Sequence, residues 1–245
     1  FEDDWEVKGT GLGHVTYRQY LPVKAYLKIL KKYNIKVTFY VDYAQYFFLE
    51  RYQKDRDIYM QMLIWDETVR SMIIDGHDVQ LHLHPQWFNA EFNNGMIYTT
   101  DKWNIASLKS SEQQILITRG ISHINQLYSS LGFAKTVTAF KAGSWGIQPS
   151  QEILNNLFRE GINVVMGPVK NTFIPKLNVD FRTLESPTHS YYCDYLDINK
   201  VSKDKDNKIM VIPITPVKLN LVQLIKFITN RGLEKYISKY DHPLD

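Results

Sequence analysis

The chain is poor in cysteine: Cys193 stands alone among 245 residues, so no intrachain disulfide can form. Its neighbours, Ser190 to Asp194, offer only His189 as a nearby base, which suits a structural thiol better than a catalytic one. No stretch of about 20 apolar residues occurs, so nothing in the sequence reads as a membrane span. No dense basic run occurs either. The net charge is +3, and the most lysine-rich segment, KVSKDKDNK, alternates with Asp. Such a segment reads as a solvated loop, not as a nucleic-acid surface. No leader-like segment is recognisable. The start at Phe1 and the stop at Asp245 fit a piece cut from something longer. The compartment, cytoplasm or cell envelope of a bacterium, is left open, as is the oligomeric state.

What is present is a globular composition, 44% hydrophobic, with sixteen Tyr among many aromatics. The chain alternates between two periodicities. Residues 36–42 (KVTFYVD) and 78–84 (DVQLHLH) read as strands, as do TVTAFKAG, INVVMG and residues 209–215 (IMVIPIT). Between them, LPVKAYLKILKKY, residues 57–75, residues 110–131 with Ser110 or Ser111 as cap, and SQEILNNLFREG read as helices. LNLVQLIKFITNRG reads as a further helix after the last strand. Residues 86–108 form a long excursion, and excursions of that length in compact domains are usually functional or disordered. Strand–helix alternation implies parallel strands joined by crossover helices. We therefore expect an α/β fold, a distorted TIM-like βα barrel of about seven parallel strands, and a single domain over residues 1–245.

In such a barrel the chemistry gathers where strands end. The polar outliers fall at those ends: Asp3 and Asp4, Asp42, His82 and His84, Lys141 and Thr215. His82 and His84 are two apart on a strand, so both face one side while Leu81 and Leu83 face the other. Two imidazoles and a carboxylate suit a divalent transition metal with a position left for water. An adjacent carboxylate can take that water's proton. Asp3 and Asp4 offer one base and one ligand at one strand end. His77 and His123 read as a packing or loop residue and an exposed helical residue, and His14 reads as part of a Gly-rich loop more than as a residue flanking the site.

These segments, in this order, resemble a known family. FEDDWE resembles the TFDDG motif of the NodB-homology polysaccharide deacetylases, carbohydrate esterase family 4. YNIKVTFYV resembles its GIKATFFV stretch, DGHDVQLHLHP its GHEIGNHTxxH, and AFKAGSWG its FRxPxG or FRAGSWG. The likeness covers roughly residues 1–165. It implies metal-dependent removal of an acyl group, typically acetyl, from an amino sugar or polysaccharide. It implies Asp3 as general base, Asp4 and His82 as metal ligands, and zinc as the metal, with cobalt or nickel as substitutes. Three positions depart from the family pattern. Its second His falls on Gln86, so His84 is the better third ligand. Its base-orienting Arg falls on Lys141, which keeps the charge and loses the planar fork. Its late general-acid His has two candidates, His242 first and His189 second. Trp5, Trp87 and Trp145 follow these motifs and are candidates for a sugar platform. Gly143 and Ser144 are candidates to make room for the substrate and hydrogen-bond it. Two alternatives stay open: a hydrolase of a small non-carbohydrate amide on the same fold, and a non-catalytic module that still grips sugar.

Overall fold

The computed structural model describes residues 1–7, 13–204 and 208–214, together with Ile225 and Thr229. Phe1–Ile214 form one compact unit. Its elements run β1 (Glu2–Trp5), α1 (Leu21–Lys32), β2 (Thr38–Asp42), α2 (Tyr43–Arg51), α3 (Arg56–Ile74) and β3 (Asp78–Leu83). A small hairpin follows, β4 (Glu91–Asn93) and β5 (Met96–Tyr98), and then α4 (Ser110–Ser130), β6 (Ala139–Ala142), α5 (Ser150–Arg159) and β7 (Val164–Met166). A second hairpin, β8 (Phe173–Ile174) and β9 (Val179–Asp180), precedes β10 (Tyr191–Tyr192) and β11 (Met210–Ile212).

Seven strands form one sheet in the order β1-β2-β3-β6-β7-β11-β10. All neighbours are parallel except β10, which runs antiparallel to β11. The expected α/β architecture, a distorted TIM-like sheet with helices, is therefore present. Among the described residues it does not close: β1 and β10 each have one neighbour. Thr215 and the helix read at LNLVQLIKFITNRG fall outside the described residues, apart from Ile225 and Thr229.

The pleat divides the sheet into two unlike faces. On one, Phe39, Val41, Val79, Leu81, Leu83, Phe140 and Val165 are buried completely or nearly so. Helices α2, α3 and α4 pack against β3 on this side. Gly120 of α4 lets that helix come close, for a Cβ there would lie 2.6 Å from Leu81 Cδ1. The other face is polar. The register sets Asp42 beside His82, His82 beside Lys141 and Lys141 beside Met166 in one row across four strands. One step toward the strand starts, Asp4 pairs with Tyr40 and Tyr40 with Gln80.

Helix starts follow local chemistry. Asp55 caps α3 by accepting from Asp57 N at 2.9 Å and Ile58 N at 3.1 Å. At α4 the expected serine cap is replaced. Glu112 reaches back to accept from Lys109 N at 2.9 Å, so the acidic third position does the capping. Helix α2, absent from the sequence-based expectation, starts directly at the end of β2, capped by Asp42.

Candidate metal centre

Glu6, one residue beyond β1, meets the two histidines at the end of β3. Its Oε2 lies 3.0 Å from His82 Nε2 and in closer contact with His84 Nε2. Among the described residues, Glu6, His82 and His84 are the group of three whose donor atoms, all within 4.8 Å of one another, could hold a metal ion. His82 and His84 are 1% and 5% exposed, while Glu6 keeps an opening to solvent.

Each imidazole is held from behind. His82 Nδ1 lies 2.8 Å from the Lys141 carbonyl oxygen. A carbonyl only accepts, so Nδ1 carries the proton and Nε2 is left to face the centre. His84 Nδ1 lies 3.0 Å from Gln86 Nε2. Gln86, at the position of the family's second histidine, thus backs the His84 ring. His84 also rests on Gly143, where a Cβ would fall 2.6 Å from Nδ1. The donor chemistry fits a divalent transition metal: two imidazoles, that of His82 held in the tautomer that leaves Nε2 free, and one carboxylate, open on one side.

The charges respond to this closeness. Burial pulls the Glu6 carboxyl up, but hydrogen bonds from His82 and His84, and their charges, hold it well below the usual carboxylate range. His84 is pulled down by burial, yet its hydrogen bond to Glu6 and the charge of Asp42 push it up to about 8.

The two aspartates of β1 are placed differently from Glu6. Asp4 Oδ1 pairs with Lys141 Nζ at 2.9 Å, and Glu2 holds the same ammonium at 2.8 Å. Lys141 is 4% exposed and also faces the Tyr40 ring at 5.8 Å. Burial lowers its pKa, but Asp4 and Glu2 outweigh that and hold it up. Asp3, on the alternate side of the pleat, shares the face of Trp5. Its carboxyl is raised, first by burial and then by Asp4 and Glu2. The structure thus gathers Glu6, not Asp4, with the histidine pair and sets Asp4 on Lys141. Adjacent residues of a regular strand face opposite ways, so Asp3 and Asp4 do not converge. Glu6 was legible in principle: it is two residues beyond Asp4, on the same face of an extended chain.

The remaining candidates scatter. Trp87 is 2% exposed and packs on Phe48 at 5.2 Å, so its ring belongs to the core and not to a sugar platform. Trp5 is buried against Trp65. Trp145 is 37% exposed. It and Ser144 have φ of 56° and 52°, left-handed backbone that is costly for non-glycine residues and concentrates at functional sites. A Cβ on Gly167 would lie 3.6 Å from Trp145 and 3.8 Å from Lys141, which puts the indole beside the Lys141 cluster. Next to it, Gly146 packs on Trp103 and Asn104. There a cleft of about 300 Å³ is lined by Lys102, Trp103, Gln148, Lys176 and Asn178 among others. Its walls come from the segment between β5 and α4, the segment between β6 and α5, and the turn between β8 and β9.

His189 is exposed in a loop, its Nδ1 2.9 Å from Thr188 Oγ1. His242 lies outside the described residues. His77 is buried, its Nδ1 accepting from Val37 N, and His14 is bound to Asp57. His123, expected to be exposed, is instead tucked against Tyr46 and bonded to Asp66 at 3.1 Å, because α2 covers that face of α4. Cys193 is fully buried and its thiol is pushed up to about 12 by burial, consistent with a structural role.

No family model matches the sequence, and no curated protein matches it. A solved structure does match: "putative polysaccharide deacetylase from Mycobacterium smegmatis", with a TM-score of 0.51 and 14% identity. The alignment covers 88% of this chain and 57% of that one, so this chain spans a little over half its length. The likeness shows a shared, deacetylase-like fold.

Proposed function

We propose that the protein is a metal-dependent hydrolase that removes an acyl group, acetyl foremost, from an amino sugar in a saccharide. The observation that carries this is the meeting of Glu6, His82 and His84 at the strand ends of a deacetylase-like fold. A divalent cation held there, zinc foremost, would polarise the acyl carbonyl and make a water more acidic. Asp4, held by Lys141 on the same face as Glu6, accepts the proton of the attacking water. The base role that the sequence resemblance implies for Asp3 passes to Asp4 by the pleat. Lys141 fixes the carboxylate of Asp4 as the family's arginine would, with one point charge in place of a fork. Trp145 offers its exposed ring to the sugar, with Gly143 and Ser144 forming the turn beneath it. The late general-acid His that the resemblance implies is assigned to His242, outside the described residues, with His189 as the second candidate.

The test is metal binding and turnover measured on the same samples. Zinc titration by calorimetry should show one site per wild-type chain, with binding lost in E6A, H82A and H84A. D4A should bind zinc and lose hydrolysis of N-acetylated sugar oligomers. Zinc bound equally by all three ligand variants would refute the assignment. A chain that binds saccharide but no cation would favour the non-catalytic module, and turnover of small amides alone would favour the non-carbohydrate hydrolase.

A further inference from the structure

Glu6 is not the sole carboxylate at this centre. Asp42, at the end of β2, is 0% exposed and shares its row with His82. Its Oδ1 accepts from Ala44 N at 3.1 Å, starting α2, and from His84 N at 3.0 Å. Its Oδ2 is buried and has no hydrogen-bond partner among the described residues. Burial pushes its carboxyl up; the charges of His84 and His82 pull it down, Glu6 pushes it up again, and a cation beside the imidazoles would act in their sense. A buried carboxylate oxygen without a donor is costly, so natural proteins keep one where something else compensates it.

Charge counting says what that is. Glu6 with two neutral imidazoles carries −1, so a divalent cation would leave +1 in a largely buried place. Ionised Asp42 brings the count of the groups in contact with the histidine pair to −2, which a divalent cation neutralises; Glu2 and Asp4 lie further out, paired to Lys141. Asp42 is outside the group of donor atoms that could touch the ion. We infer that Asp42 is a positioning residue for a divalent cation: through Oδ1 it fixes the backbone of His84, and through Oδ2 it supplies the second buried negative charge. This rests on the metal-centre assignment proposed above.

The experiment is zinc titration of the full chain by calorimetry, with melting temperatures, for wild type, D42N, D42A and D55A. Asn keeps an acceptor for the Ala44 and His84 amides and removes the charge; Ala removes both. D55A removes a helix cap of the same kind on α3. The expected result is zinc affinity about 10–100-fold weaker in D42N, the size usual for losing an outer partner of a metal site. D42A should be weaker still, and D55A should melt earlier with wild-type affinity. D42N binding indistinguishable from wild type overturns the inference, as does D55A weakened as much as D42N. If E6A and H82A lose zinc while D42N does not, this inference fails alone. If wild type binds no divalent cation, it fails together with the metal centre.

Discussion

At the scale of single residues, the centre is set by how closely its parts approach. A methyl group at Gly143 would press on the His84 ring at 2.6 Å, against an imidazole that is buried and has no room to retreat. G143A should therefore lower zinc affinity by at least about 10-fold, as loss of ligand support does. Calorimetry on folded G143A checks this, and unchanged affinity would mean that the ring can move. The Glu6–His84 pair also predicts a pH dependence for metal-free protein. Glu6 is depressed, so its contribution to stability is present above the unfolded carboxylate value near ~4.3 and is lost as pH falls through its folded value. His84 is raised to about 8, so its contribution is complete below its unfolded value near ~6.5 and is lost as pH rises through about 8. Melting temperatures of chelator-treated protein should thus decline from pH ~6.5 to ~8, and H84Q should flatten that limb. An identical limb in H84Q would count against the pair.

At the scale of elements, legibility followed burial pattern. Strands β2, β3, β6 and β7 and helices α1, α3, α4 and α5 could be read because each has one apolar side. Helix α2 could not: Tyr43, Ala44, Gln45, Tyr46, Phe48 and Leu49 are all buried, so its sequence lacks a polar stripe. The histidine pair was legible from its spacing of two, and Lys141 from its place at a strand end. The carboxylate partner, Glu6, obeys the same spacing of two from Asp4 but is hidden by the motif FEDDWE, which draws attention to adjacent acids. Tryptophans were legible as candidates, but which of them faced solvent depended on tertiary packing. That difference is measurable. W87A should cost about 3–5 kcal/mol in urea unfolding, as removal of a buried aromatic does. W145A should stay within about 0.5 kcal/mol of wild type. It should instead raise KM for an N-acetylated sugar oligomer, and an unchanged KM would remove Trp145 from the substrate path.

At the scale of the whole molecule, a bound cation adds to folding stability because the unfolded chain has no such site. Zinc at about 100 times its Kd should stabilise the protein by about 2.7 kcal/mol, and calorimetric melts with and without zinc would read it. E6A should show no such gain. The order of the strands gives this coupling a direction. Among the described residues β1 has β2 as its neighbour in the sheet, yet Glu6 just beyond it reaches the histidines of β3. An ion there would fasten β1 to β3, two strands away in the sheet. Amide-proton exchange along residues 2–5 should then slow more on zinc addition than exchange in β7, and this strand would report occupancy of a centre it only borders.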